Sequence, residues 1–133
     1  MEELHFKFAG VPVPLSRPRF GKRGHIYTPD KCQKAKRSIA IDAMREMGGA
    51  DPLCAPLCVE MVFTMKMPKR PRKNQLEGCH HISTPDLSNL IKLVEDALNG
   101  VVWRDDSIIS ELRAWKRYGP EPSTIVRVKA YEI

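Results

Sequence analysis

Leu4, Phe6 and Phe8 alternate with His5, Lys7 and Ala9, the two-residue period of a strand with one buried face. Pro12, Pro14 and Pro18 then interrupt any regular element, so Arg17 to Tyr27 is expected as an exposed basic loop or a short hairpin around Gly21 to Gly24. Thr28-Pro29-Asp30 supplies a hydroxyl cap, a proline for the first helical position and an acid for the first turn. The helix it opens carries Ala35, Ile39, Ala43, Met44 and Met47 inward and stops at Gly48-Gly49.

After a loop from Ala50 to Pro56, the alternation of Leu57, Val59, Met61, Phe63 and Met65 gives the clearest strand in the chain. The polar stretch from Met67 to Thr84 is too long for a plain turn and is either functional or mobile. Thr84-Pro85-Asp86 repeats the helix-opening signal, Leu87, Leu90, Ile91, Val94 and Leu98 form an apolar stripe, and Asn99-Gly100 ends the helix. Strands are expected over Ile108 to Lys116 and Thr124 to Tyr131, parted by a Gly119-Pro120-Glu121-Pro122 turn, with Val101 to Trp103 as a short further candidate. Helices and strands mix without strict alternation. The expectation is one α+β domain over residues 1–133, with a mixed, mainly antiparallel sheet and two main helices.

A chain of 133 residues builds one core, and 42% hydrophobic with 29% charged residues is the composition of a globular domain rather than a disordered tail or a disulfide scaffold. No apolar run approaches the ~20 residues of a membrane span, and the opening MEELHFKF is acidic where a signal peptide is basic. A cytoplasmic protein without a membrane partner is expected. The 22 Lys and Arg against 16 Asp and Glu leave a net charge of +6, which favours phosphate-rich partners. From Arg17 to Arg37 eight bases face the single acid Asp30, and Lys66 to Lys73 holds five bases and no acid. Glu95, Asp96, Asp105, Asp106 and Glu111 gather around Arg104 alone. Basic runs beside a local acidic cluster suit nucleic acid held around a metal, or simply a solvated charged surface.

With Leu87, Leu90, Ile91 and Val94 turned to the core, Ser88, Lys92, Glu95, Asp96 and Asn99 fall on or near the opposite helix face. A lysine is thereby set between Asp86 and two further acids. Phosphodiester hydrolysis calls for hard oxygen ligands to Mg²⁺ and a cation beside the scissile phosphate, and such a set supplies both. The same residues also read as an ordinary Lys92–Asp96 helix pair and an ordinary Asp105-Asp106-Ser107 turn. Cys32, Cys54, Cys58 and Cys79, with His80 and His81, lack zinc-knuckle spacing, so reduced thiols are expected ahead of a zinc-stabilised interaction domain. The histidines precede the second helix, near any site there. There is no nucleophile triad, P-loop or dinucleotide glycine motif. Core packing is the expected role of Trp103 and Trp115. Phe20, set among Arg19, Lys22 and Arg23, is a candidate for insertion between bases.

Thr84 to Leu112, TPDLSNLIKLVEDALNGVVWRDDSIISEL, resembles the signature of the RusA family of Holliday junction resolvases: a PDxDNLxK helix, an ALNG stop and a following DD turn. RPRF at Arg17 to Phe20 and GHIYTP at Gly24 to Pro29 are similar to phage and prophage members. The resemblance implies a homodimeric α+β endonuclease that uses Mg²⁺ or Mn²⁺ to cut four-way branched DNA symmetrically. Its matching residues are Asp86, Lys92 and Asp106, with Asp105 beside the last. Asp86, Asp105, Asp106 and Glu95 are then the candidate metal residues, and Arg17, Arg19, Phe20, Lys22, Arg23, Lys69, Arg70, Arg72 and Lys73 the candidate DNA contacts.

One departure stands out: Ser88 occupies the second aspartate position of PDxDN. Seven residues make nearly two helical turns, which returns Glu95 to the side of Ser88 as a substitute acid ahead of Asp96. The alternative is a junction-binding module that no longer cleaves.

Overall fold

The computed structural model describes residues 3–17, 19–27 and 29–132. Strand β1 (Glu3–Ala9) is followed by a two-residue hairpin, β2 (Arg19–Phe20) and β3 (Ile26–Tyr27), closed by a short 3-10 turn at Lys22–Gly24. Helix α1 (Asp30–Met47) leads to β4 (Leu57–Lys66), α2 (Leu87–Leu98), β5 (Ile109–Gly119) and β6 (Ser123–Ala130). The main sheet runs β1-β6-β4-β5; β6 is antiparallel to β1 and β4, while β4 and β5 are parallel. The fold is α+β with a mixed sheet not closed into a barrel, as its sequence pattern indicates.

Both helices cover one face. The inward residues of β4, Leu57, Val59, Met61, Phe63 and Met65, meet Leu90, Val94 and Leu98 of α2 and Ala43 of α1 in one cluster. Leu93 and Ala97 of α2 are buried as well, which widens the stripe read from the sequence. On α1, Cys32 is buried while Met44, expected inside, is 55% exposed. The other sheet face is polar: Glu60 accepts from Arg127 at 2.7 Å and pairs with Arg113 at 3.9 Å, and the Arg113 guanidinium lies 4.8 Å from the Trp115 ring centre. Trp115 is therefore not a core residue, because strand alternation turns it away from the helices; Trp103 is fully buried, as expected.

Several boundaries differ from expectation. Pro29 is the N-cap of α1, with no side-chain cap, and the helix begins at Asp30; Thr28 lies outside the described residues. In α2 the N-cap is Asp86, so neither Thr84 nor Pro85 takes the place foreseen. Val101 to Trp103 is a turn carrying isolated bridges, not a strand, because Val101 and Val102 nitrogens still bond the Leu98 carbonyl. The long stretch 67–84 is tied to β5: Gly78 donates to Tyr118, Tyr118 to Cys79 and His81 to Lys116.

Although β5 and β6 follow one another, β4 lies between them. Residues Pro120 to Pro122 must therefore step over the end of β4, a span of about 10 Å for two strand spacings. The step brings backbone tightly onto β4: a methyl on Gly119 would stand 2.5 Å from Thr64 Cγ2, and Thr64 is fixed by the Arg117 Nε–Thr64 Oγ1 bond. Gly119→Ala is expected to cost about 1–3 kcal/mol, the usual range for overpacking, read as a lowered urea midpoint. An unchanged midpoint would show that Thr64 gives way freely.

Candidate active site

Parallel strands β4 and β5 are joined through α2, so the helix N-terminus lies at the end where both strands finish. Asp86, the N-cap, uses its carbonyl to accept from Asn89 N and Leu90 N at 3.1 and 3.2 Å, while its side chain makes no cap bond. The carboxylate thus remains available in a groove of about 730 Å³, shared with Arg17, Ser88, Asn89 and Lys92. The proline-rich segment forms the opposite wall. Leu15 N donates to Asn89 O at 2.9 Å, and Cys32 Sγ receives Ser16 N and donates to Pro14 O. The cysteine is thereby a structural pin of this wall.

The turn before α2 is held by a residue the sequence did not single out. Lys116 Nζ donates to the carbonyls of Ser83 at 2.6 Å and Pro85 at 2.7 Å. On the same strand end, His81 packs against the Tyr118 ring, centres 4.8 Å apart, with its Nδ1 buried without a partner among the described residues. Burial, then the nearby Lys116 charge, lowers the His81 pKa.

A second cluster sits at the far end of α2. Asn99 donates from Nδ2 to Asp106 Oδ2 at 3.1 Å and accepts from Trp103 Nε1 at 2.8 Å. Half-buried Glu95 has a raised pKa, chiefly from burial and then from the charges of Asp106 and Asp96, with Lys92 opposing. Asp105 is engaged otherwise: its Oδ2 accepts from Ser107 N at 3.1 Å, and hydrogen bonding from the Ser107 side chain, then from its backbone, lowers the Asp105 pKa. Asp96 turns to α1 and pairs with Lys36 at 3.5 Å, rather than with Lys92.

Asp86 and Asn99 are thirteen positions apart, about 20 Å along the helix at 1.5 Å per residue. Asp106 lies with Asn99. Asp86, Ser88 and Arg17 thus lie at one end of α2 and Asn99 and Asp106 at the other, while Lys92 lines the groove from mid-helix, three residues from Glu95 and acting on its charge. Among the described residues no three of His, Cys, Asp and Glu form a metal-holding group. Glu95 and Asp106 are nonetheless a hard-oxygen pair under mutual repulsion, the donor chemistry that suits a divalent cation completed by water and phosphate oxygens.

The family model of endodeoxyribonuclease RusA matches residues 9–129. The chain belongs to the RusA family. Membership makes it an endodeoxyribonuclease, a hydrolase of DNA, and the match runs from the last residue of β1 into β6. YqaN of Bacillus subtilis (strain 168), described as an uncharacterized protein, is 30% identical over 139 residues, covering 97% of each chain. Among the described residues no helix is long and apolar enough to cross a membrane.

The bases expected to touch DNA are exposed wherever their side chains are described. Arg17 lines the groove itself, Lys22 and Arg23 occupy the hairpin turn, and Lys69, Arg70, Arg72 and Lys73 extend from the finish of β4. The Arg19 side chain lies outside the described residues.

The raised Glu95 pKa makes a signed prediction. The folded carboxyl binds its proton more tightly than the unfolded one, so its contribution to stability is full below the ordinary value of 4.5 and is lost as pH rises through the raised value. In metal-free buffer Glu95→Gln, always neutral, is expected to be more stable than wild type at neutral pH and to lose that advantage in acid. Paired urea titrations at the two pH values check it; an advantage independent of pH would contradict the assignment.

Proposed function

We propose that the protein resolves four-way DNA junctions by paired, symmetric phosphodiester hydrolysis, as a cytoplasmic homodimer in recombination and repair, with Mg²⁺ or Mn²⁺ as cofactor. The observation that carries this reading is the groove where Asp86, Lys92 and Arg17 meet at the N-terminus of α2, within a RusA-family chain. Lys92 and Arg17 bring cationic donors to a backbone phosphate, and the helix N-terminus adds its partial positive charge. Glu95 and Asp106 would hold the divalent ion, with Asp105 bracing their turn. When bound there, the ion supplies Lewis acidity and an acidified water. Arg19, Lys22, Arg23 and the Lys69 to Lys73 run hold the arms of the junction, and Phe20 among them contacts bases rather than backbone.

The distance of about 20 Å along α2 between Asp86 and Asn99, the hydrogen-bond partner of Asp106, supports a shared site. If chemistry needs both Asp86 and Asp106, a second copy completes it: under two-fold symmetry the Asp86 end of each protomer meets the Asp106 end of the other. Two equivalent sites then address the two equivalent strands of a four-way junction.

Incubating the protein with a synthetic four-way junction and Mg²⁺ tests the activity. Asp86→Asn and Asp106→Asn are each expected to abolish nicking while keeping junction binding. Mixing the two inactive variants is expected to restore nicking, since each mixed dimer regains one site with both aspartates. Near-normal cutting by either single variant removes it from the site, and no rescue on mixing confines the site to one protomer.

Ser88 favours a second reading, a junction-binding module that does not cut. Glu95 stands about 10 Å further along the helix axis and beside Asp106, so the Ser88 position keeps no acid. Wild type that binds without nicking, together with cleavage switched on by Ser88→Asp, would select this reading.

Electrostatic grip is measurable by salt. Neutralising Arg17, Arg19, Lys22 and Arg23 together is expected to make the slope of log affinity against log salt shallower by roughly 0.9 for every phosphate that the hairpin no longer neutralises. An unchanged slope would place the hairpin away from DNA.

A further inference from the structure

Phe20 and Ile26 face each other across the β2–β3 ladder and are 78% and 60% exposed. Lone apolar residues on a surface are ordinary, but here two adjacent large ones form a single patch on a hairpin of only two paired residues. The ladder lies outside the main sheet. Between Arg17 and Pro29 the chain has no acid, and Arg17, Lys22 and Arg23 are all exposed. The fitting partner is therefore anionic and presents apolar faces.

Position narrows the partner. Arg17 lines the groove that also holds Asp86 and Lys92, and three residues of extended chain reach at most about 10 Å. Phe20 thus lies within about three base steps of 3.4 Å from a phosphate seated in that groove. In continuous duplex both faces of every base are covered by neighbours, whereas a branch point leaves faces uncovered.

We propose that Phe20 and Ile26 form an apolar wedge that stacks on the exposed bases at a DNA branch point, so that this hairpin distinguishes branched from linear DNA. The wedge rests on the junction reading above and adds to it the element that recognises the branch. Arg17, Lys22 and Arg23 hold the flanking phosphates, and the paired strands fix Phe20 and Ile26 side by side.

The test uses a four-way junction with 2-aminopurine beside the crossover, in EDTA so that the DNA stays uncut. Wild type is expected to raise the probe's fluorescence by unstacking it, and a linear duplex carrying the same probe is expected to stay dim. Phe20→Ala with Ile26→Ala, surface changes that leave the fold intact, should remove the rise and weaken junction binding roughly 5- to 150-fold, the range for removing one base–aromatic stack. Affinity for linear duplex should stay unchanged, and Phe20→Trp should keep the rise. A double variant with an undiminished rise overturns the wedge. So does an equal loss of junction and duplex affinity, a changed sedimentation mass, which would make the pair an interface between copies, or loss of binding to phosphatidylserine vesicles instead of junctions. If wild type fails to prefer junction over duplex, the junction reading itself falls; a preference without any fluorescence rise removes the wedge alone.

Discussion

A parallel partner cannot be reached by a hairpin, so pairing β4 with β5 obliges the chain to travel back the length of the sheet before β5 starts. Helix α2 makes that return, buried through Leu90, Leu93, Val94, Ala97 and Leu98. Ser88, Lys92, Glu95 and Asn99, at spacings of four, three and four, are thereby left along the uncommitted side of the helix. The same constraint delivers the two ends of α2 to opposite ends of the strands. One end receives the proline-rich wall and the Lys116 ammonium; the other receives the Asp105–Asp106 turn.

Local pattern is enough to read the main helices and strands, since alternation in β4 and the apolar stripe of α2 are imposed by burial on one face, but not the turn at Val101 to Trp103. It is not enough to order the strands. A Gly-Pro-Glu-Pro link between β5 and β6 carries no mark that β4 lies between them; only the close approach of Gly119 to Thr64 registers the crossing. Adjacent acids were equally indistinct. Asp105 and Asp106 look alike in sequence, yet the 3-10 turn gives the first to Ser107 N and points the second at Asn99. Lys116 reads as one more strand lysine, and only the packed fold brings it to two carbonyls before α2.

A helical wheel records only the angular position of Glu95. Angular position returned it to the side of Ser88, but a wheel discards rise, and seven residues advance about 10 Å along the axis. The Glu95 carboxyl resists ionisation, first through burial and then through Asp106 and Asp96, whose charges outweigh that of Lys92. Asp96, a residue further round, is drawn off by Lys36.

Charge is therefore divided along α2. At the groove end Asp86 is accompanied by Arg17, Lys92 and the helix N-terminus, an environment that receives a phosphate more readily than a lone cation. At the other end Glu95 and Asp106 repel each other in a half-buried setting, which a cation relieves. With aspartate at position 88 the groove would carry two acids and compete for that cation; with serine it carries one. On the proposed reading, Ser88 sharpens a division of labour in which one end seats the phosphate and the other the metal. On the same reading hydrolysis needs both at one bond, and the distance of about 20 Å along α2 between Asp86 and Asn99, the partner of Asp106, is the argument for the pairing of two chains proposed above.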